Sequence, residues 1–537
     1  MMESLQTKLD TKKALKNASQ DIRPPVFRSL FHEIVVLVAL TFGSSLATSN
    51  VGAAQIAIDH FATSFNISGG KLSWTVSSFS LSAGAFVLLL ASIADNIGRR
   101  RTVLIAYIWY AIWCLIAGFM RSDVIFCVFR ALQGLSGAAA TPAAVGVIGA
   151  TYTFGKRKNR AMATFGAGAP LGLVIGIIVG GICTQFISWR AEYWFFSIQY
   201  SILAVIVWFL VPPDPPLDRT ILKQKLAQID YVGAFLATLG LVLFVFAITQ
   251  SGVAPKGWGE PYVIALLIIG PCLFGVFIYW ESRVSNPLMP LSIWRFPGFA
   301  VCMVIIFCGF MSFLGVVNYY ITLFFQNVRG ASPILTTAYI VPQAIAGLSV
   351  NFFAALTLHI IPGRILMIVG NVAFVVSALL WALQPMHLIY WAMSFPAIVL
   401  SVVGADLSFN VANLHTLSSV PPESQSTAAG VFNTVMQLSA STVAQTALEK
   451  SPHTGRQQTY DSYKAAFWFG VGISACGAVA SLFLKVGRTG SKHDVAADDG
   501  EDQPDNIGDI VGGPQEREEV QEKEKLGKDD IVAEHSA

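Results

Sequence analysis

The stretch Ala91-Ser92-Ile93-Ala94-Asp95-Asn96-Ile97-Gly98-Arg99-Arg100-Arg101 decides how the chain is organised. One apolar run ends in it, three arginines close it, and a second apolar run begins directly after it. Arginines suit the negative end of a helix dipole, whereas a carboxylate there is disfavoured unless a cation pairs with it. Asp95 is therefore expected to form an ion-pair latch with an arginine or to meet the N-terminus of another helix. A turn this short and this basic between two apolar runs reads as a cytoplasmic link between consecutive membrane helices.

The rest of the chain agrees. Of 537 residues, 54% are hydrophobic and 12% are Asp, Glu, Lys or Arg. Soluble proteins carry about 25% charged residues. With a mean hydropathy of +0.60, the chain cannot supply the charged skin of an ordinary soluble enzyme. A disordered or nucleic-acid-binding protein is excluded as well, because the charges sit between long apolar runs. The net charge of +3 hides an asymmetry: residues 494–537 hold 15 acidic and 4 basic residues, a net −11, and leave +14 on the remainder. The chain reads as a basic membrane body with an acidic tail too poor in apolar residues to order itself. All seven cysteines lie inside apolar runs, without metal-ligand spacing, and read as small buried hydrophobes. The first thirty-odd residues are polar and basic, and the run that follows is too long for a signal-peptide core, so it is expected to stay as an anchor.

A spanning helix needs about 20 mostly apolar residues. Fourteen runs qualify: 34–57, 72–93, 102–120, 124–149, 161–186, 192–211, 231–250, 261–280, 299–325, 334–357, 365–384, 388–411, 427–447 and 465–486. Irregular backbone cannot face lipid, so each run is expected to be a helix, and the fold an all-α polytopic membrane protein. Lys and Arg in the loops after runs 2, 4 and 6 outnumber those in the opposite loops of the same half ten to three. That places both termini in the cytoplasm. Asn66, in Asn66-Ile67-Ser68, then falls on the outer side as a glycosylation candidate. The expected organisation is a cytoplasmic segment 1–33, a first six-helix bundle 34–211, a linker with two additional helices 212–298, a second six-helix bundle 299–487 and a disordered tail 488–537.

Several polar residues lie inside apolar runs. Arg130, in Arg130-Ala131-Leu132-Gln133-Gly134, costs at least about 2.5–3.5 kcal/mol on insertion scales and needs a polar partner or a wet cavity. Gly168, Gly172, Gly176 and Gly180 recur every four residues, a stripe that lets another backbone approach. Pro170 within it removes a hydrogen bond and predicts a bend. Asp406, in Gly404-Ala405-Asp406-Leu407-Ser408-Phe409-Asn410, is an acid that could carry a proton or make a helix–helix contact. At about 1.5 Å per residue, Arg130 and Asp406 differ in height by roughly 15 Å, so no direct salt bridge is expected. Asn50, Asn318 and Asn410 are candidates to line a cavity or to bond between helices.

These residues together resemble the major facilitator superfamily. Its loop signature Gly-x-x-x-Asp-Arg-x-Gly-Arg-Arg is matched by Asp95, Gly98, Arg99 and Arg100, with Ala91 and Asn96 as departures. In that family the loop pins the two halves together. The signature Arg-x-x-Gln-Gly is matched in full from Arg130, the residue the family links to proton coupling. The glycine stripe with Pro170 is similar to the antiporter signature Gly-x-x-x-Gly-Pro-x-x-Gly-Gly, with Ala169 in place of one glycine. Ile229-Asp230-Tyr231-Val232-Gly233-Ala234 and the stretch from Glu281-Ser282-Arg283 to Arg295 resemble the fourteen-helix drug/proton antiporter branch. Asp406 and Asn433 resemble its fungal aminotriazole-resistance subgroup, whose relatives export drugs or borate, one being linked to ammonium. The branch usually has a carboxylate in its first helix, where this chain has Ala47.

The resemblance implies a proton-coupled secondary transporter, no enzyme and no cofactor, acting as a monomer. Its partners would be a small-molecule substrate, protons and the lipid bilayer, without nucleic acid. A cell membrane or a vacuolar membrane would hold it. The alternatives are an uptake or uniport carrier for a small polar species such as borate or ammonium, and a non-transporting sensor signalling through its tail.

Overall fold

The computed structural model describes residues 23–67, 70–152, 156–214, 219–285, 287–357, 360–421, 425–441 and 456–484. The chain divides into Met1–Gly490 and Ser491–Ala537, and every described residue belongs to the first unit. The acidic tail lies outside the described residues, as do the residues before Arg23.

Among the described residues there are helices and no strand, and thirteen helices are long and apolar enough to cross a membrane. In chain order the main helices are α1 Leu30–Ile56, α2 Gly70–Ile97, α3 Arg99–Ala117, α4 Asp123–Thr151, α5 Gly168–Phe186, α6 Trp189–Leu210 and α7 Tyr231–Ser251. They continue as α8 Pro261–Glu281, α9 Phe299–Val328, α10 Pro333–Thr357, α11 Gly363–Leu383, α12 Ser394–Ser418, α13 Gln425–Ser441 and α14 Arg456–Leu482. α13 is described over 17 residues, and the rest of the run expected at 427–447 lies outside the described residues. Every expected run is thus met by a helix.

Local chemistry sets many of the ends. Ser29 accepts from His32 N at 3.0 Å and starts α1; Asp230 accepts from Gly233 N at 2.8 Å and starts α7. Such caps satisfy amides that a helix start leaves free. A short helix, Ile58–Phe65, follows α1 and ends at exposed Asn66, whose φ of 52° is left-handed. Asparagine tolerates that region better than other side chains. Ser68 of the Asn66 sequon lies outside the described residues.

The fifth run divides into a short helix, Lys156–Gly166, and α5, with the break at Ala167. Pro170 explains the position. It has no amide hydrogen for Gly166, four residues back, and its ring crowds that carbonyl. The bend is the one the sequence predicts. The sequence does not predict the form of α9, which is interrupted by two π-helical segments, Met311–Val317 and Phe324–Val328. Such segments often accompany functional sites.

The packing repeats itself. Within the first six helices α1 packs on α5, α2 on α4, α3 on α4, and α3 on α6. The counterparts recur in order: α9 on α13, α10 on α12, α11 on α12, and α11 on α14. Between the two sets, α2 packs on α13 and α5 on α10, so the second helix of each set meets the fifth of the other. The hairpin α7–α8 lies on α2, where Thr238 donates to Ala85 O at 3.0 Å. Large apolar side chains such as Ile105, Trp208, Phe235 and Phe353 point outward, as lipid contact requires.

Candidate functional site

Arg130 sits on α4 with 0% of its surface exposed. Its Nε donates to Thr75 O on α2 at 2.8 Å, and its Nη1 donates to Asn50 Oδ1 on α1. Asn50 Nδ2 passes the network on to Tyr110 Oη at 2.8 Å and to Gln133 Oε1 at 3.2 Å. The guanidinium also lies 5.5 Å from the Phe79 ring and 5.9 Å from the Tyr193 ring. Hydrogen bonds to a charged group contribute about 1.5–3 kcal/mol each, so two of them offset the insertion cost. Gly134 belongs to the same arrangement: a Cβ there would collide with Ser82 and the Phe79 carbonyl, so its absence lets α2 and α4 close around the arginine. The structure thus joins two expected residues, Arg130 and Asn50, directly.

It also brings up a residue that sequence reading missed. Glu192 on α6 is 1% exposed and feels the charge of Arg130. It lies at the edge of an apolar run, three residues into α6, where an acid passes for an interfacial one.

The glycine stripe faces α1. A Cβ on Gly172 would fall 2.5 Å from Ser45 O, one on Gly176 would strike the Ser49 carbonyl, and one on Gly180 would fall 2.8 Å from Ala53 Cα. The stripe is matched by small residues at the same four-residue interval on α1. Other positions of α5 reach α10: a Cβ on Gly181 would collide with Thr337, and Gly347 on α10 has Pro170 Cβ 3.8 Å from where its own Cβ would be.

Asp406 lies on α12, beside that α5–α10 contact. The Cβ position of Gly347 is 3.0 Å from Asp406 Oδ2. That oxygen is buried and has no hydrogen-bond partner. Asn351 of α10 lies against the carboxylate. Asn410 donates to Asn351 Oδ1 at 2.7 Å and to the Asp406 carbonyl at 2.8 Å. Asn410 and Asp406 are therefore parts of one polar cluster. Asn318, between the π segments of α9, accepts from Gln343 Nε2 at 2.9 Å, and its own Nδ2 is buried without a partner. No ion pair joins Arg130 to Asp406, in keeping with the difference in height expected from the sequence.

In the loop after α2, Asp95 pairs with Arg99 at 3.0 Å, and Arg99 Nη1 donates to Gly146 O near the end of α4 at 2.9 Å. Arg100 donates to the Val207 and Trp208 carbonyls at the end of α6. Gly98 has φ 117°, and a Cβ there would lie 2.6 Å from Asp214 Cγ. Asp214, also missed in the sequence, accepts from Arg100 N at 3.1 Å and Arg101 N at 2.9 Å and so caps α3. Its setting, Pro212-Pro213-Asp214-Pro215, reads as linker. The weak echo in the second half, Pro362-Gly363-Arg364, keeps one of these contacts: Arg364 donates to Leu482 O at the end of α14 at 2.7 Å.

Asp95 and Asn96 also face a polar cavity of about 370 Å³, shared with Lys225, Asp230, Pro287 and Thr427. The two stretches that narrowed the resemblance meet beside it. Trp280 Nε1 donates to Asp230 at 3.0 Å, and Glu281 accepts from Met289 N at 3.3 Å. Just past α4, the Tyr152 hydroxyl donates to Glu33 Oε1 at 2.9 Å, and Arg157 pairs with Glu33 at 2.6 Å. Burial, with Glu33 beside it, pushes the Tyr152 hydroxyl pKa upward.

Two sets of six helices that share one packing plan, with large apolar side chains turned outward, define an α-helical multi-pass membrane protein. The model of the Major Facilitator Superfamily matches residues 38–444, and the chain belongs to that family. It is 33% identical over 465 residues to the low affinity ammonium transporter of Saccharomyces cerevisiae, covering 85% of this chain and 89% of that one. It is 29% identical to the efflux pump terJ of Aspergillus terreus, over 88% and 92% of the two chains. The aminotriazole resistance protein of Saccharomyces cerevisiae is 26% identical, over 85% of each. Among solved structures, the nucleoside transporter NupG superposes with a TM-score of 0.54 at 13% identity, over 84% of this chain and all of that one, which speaks for the fold alone. The fungal drug-resistance-like resemblance read in the sequence is borne out, and the family is one of transporters, not enzymes.

Proposed function

We propose that the chain exports a small drug-like, toxic or metabolite solute in exchange for protons, by alternating access. The observation that carries the reading is Asp406: a carboxylate oxygen buried without a partner, within the α10–α12 cluster and beside the seam to α5. A lone buried oxygen of this kind is stabilised by a proton. Binding and losing that proton changes the charge next to the helices that must slide when the helix sets rock. Asn50, Asn318 and Asn410 would meet the solute between the sets. Asp95, Gly98, Arg99 and Arg100 would hold one access state. Gly168, Pro170, Gly172, Gly176 and Gly180 would let α5 move against α1 without side-chain obstruction. The termini would be cytoplasmic, Asn66 glycosylated outside, and the working unit a monomer.

The terJ efflux pump supports export, and the ammonium transporter supports a second reading. In that reading the chain carries a small polar species such as ammonium or borate inward or by uniport. Ala47, where the branch has its first-helix acid, favours it.

The test is proton and solute flux in proteoliposomes, with azoles, borate and ammonium. Under the antiport reading, one compound drives proton movement opposite to its own, and Asp406→Asn loses the coupling while folding normally. Solute flux without proton movement, or full coupling in a folded D406N protein, would sink it. Protons moving with the solute would favour the uptake reading.

A further inference from the structure

We propose that Glu192 is a second proton-exchanging carboxylate, working against Arg130 in the first half of the chain. The proposal extends the proton-coupled reading above, but its decisive test does not depend on that reading.

Two buried polar atoms of facing charge, Arg130 Nη2 and Glu192 Oε2, lack a hydrogen-bond partner, and the Tyr193 hydroxyl lies beside the carboxylate. Arg130 is 0% and Glu192 1% exposed, so water at the protein surface satisfies neither. The two charges interact, yet no ion pair within 4.0 Å forms between them. The arginine's remaining nitrogens are engaged by neutral groups, Asn50 and the Thr75 carbonyl. A carboxylate that directly grips a guanidinium stays ionised. One buried at a distance from it is pulled both ways, because the attraction is of the same order as the cost of removing the charge from water. Such a group can change state.

Among the described residues around it no second cation is directed at it: Arg190, two positions earlier on α6, lies over the Trp189 ring and donates to the Met120 carbonyl. α3 brings Cys114 and α5 brings Cys183, both coupled to Glu192. α6 itself brings Tyr193. α1 brings neutral Asn50 through the arginine. The short helix Ile58–Phe65 packs Phe61 and Phe65 on Trp189 and carries Asp59 and His60, both half-buried. The Arg130–Glu192 pair thus has two states, neutral overall with Glu192 ionised and singly positive with it protonated. In one access state a proton from water joins the Glu192 carboxylate to form a neutral carboxyl. In the other the same proton returns to water on the opposite face. No other bond changes and no electron moves.

The test is acid–base difference infrared spectroscopy of the full chain in lipid nanodiscs, read in the protonated-carboxyl region. The wild-type spectrum should contain a titrating band that vanishes in Glu192→Gln and survives in Asp406→Asn. Glu192→Asp, which keeps the acid, should retain a displaced band, and Arg130→Lys should move its titration midpoint. A folded E192Q protein with the wild-type difference spectrum would overturn the proposal. So would an E192D protein with no titrating band of its own. Proton movement per solute in proteoliposomes should also fall in E192Q. Absence of solute-driven proton movement in the wild type would defeat the coupling reading, while the infrared bands would still decide whether Glu192 exchanges a proton.

Discussion

The two six-helix sets share a packing plan and differ in what they bury. In both, the second helix lies on the fourth, the third on the sixth, and the start of the third sends an arginine to the carbonyls ending the sixth: Arg100 to Val207 and Trp208, Arg364 to Leu482. In the fourth helix the plan diverges. α4 buries a cation held by neutral groups, whereas α12 buries an acid with one oxygen left open. Shape is therefore duplicated and charge is not. Under the proposed function the two would have different duties: the arginine would hold its helices together, and Asp406 would change state.

The largest break in that contrast should come from Arg130→Leu. It would leave Asn50 Oδ1, the Thr75 carbonyl and Glu192 without their cation, and removing one member of a buried charged set costs about 3–5 kcal/mol. Thermal unfolding in detergent should show it, while D406N should unfold close to wild type. Equal losses would abolish the distinction.

Gly176→Val tests the seam between α1 and α5. The new side chain would strike the Ser49 carbonyl, and overpacking of this kind costs typically about 1–3 kcal/mol. Unfolding midpoints should drop, and substrate flux should fall further than stability does.

Asp214→Ala sharpens the comparison of the two loops. The first half caps its third helix with this carboxylate, and losing such a cap costs about 0.5–2 kcal/mol. Arg364→Ala, removing a single helix-end contact in the second half, should cost only about 0.3–1 kcal/mol. Chemical denaturation of the two variants should rank them in that order.

Gly472→Ala, on α14, should have an effect comparable in size to that of Arg364→Ala and opposite in sign. Nothing lies within 4 Å of its Cβ position, and alanine in a helix is favoured over glycine by roughly 0.5–1 kcal/mol. A loss of stability there would mean that α14 packs more tightly than described.

Much of this was legible in the residues. Apolar length places the helices, because backbone in lipid has few options. Arg130 and Asp406 stand out, because charges in such runs need a reason. Pro170 predicts its own bend, and the glycine interval predicts a close backbone, though not that α1 would be the partner. Glu192 escaped because its position near the edge of a run hides which way it points. Asp214 escaped because three neighbouring prolines look like linker. The π segments of α9 escaped because widening a turn changes no residue's hydropathy. The pairing of helices across the two halves depends on three-dimensional contact, whereas Arg364 echoes in the sequence only the loop contact that each half makes within itself.

Those wide turns have a further consequence. A π turn closes over five residues where an α turn closes over four, so each holds length that an α-helix would not need. Losing one residue from 311–317 could be absorbed by tightening the turn, leaving Asn318 aimed at Gln343. The same loss at the start of α5 would swing the glycines beyond it by about 100° around the axis, away from α1. Length variation along the chain should thus be forgiven in α9 and punished in α5, and a scan of single-residue deletions would trace that slack directly.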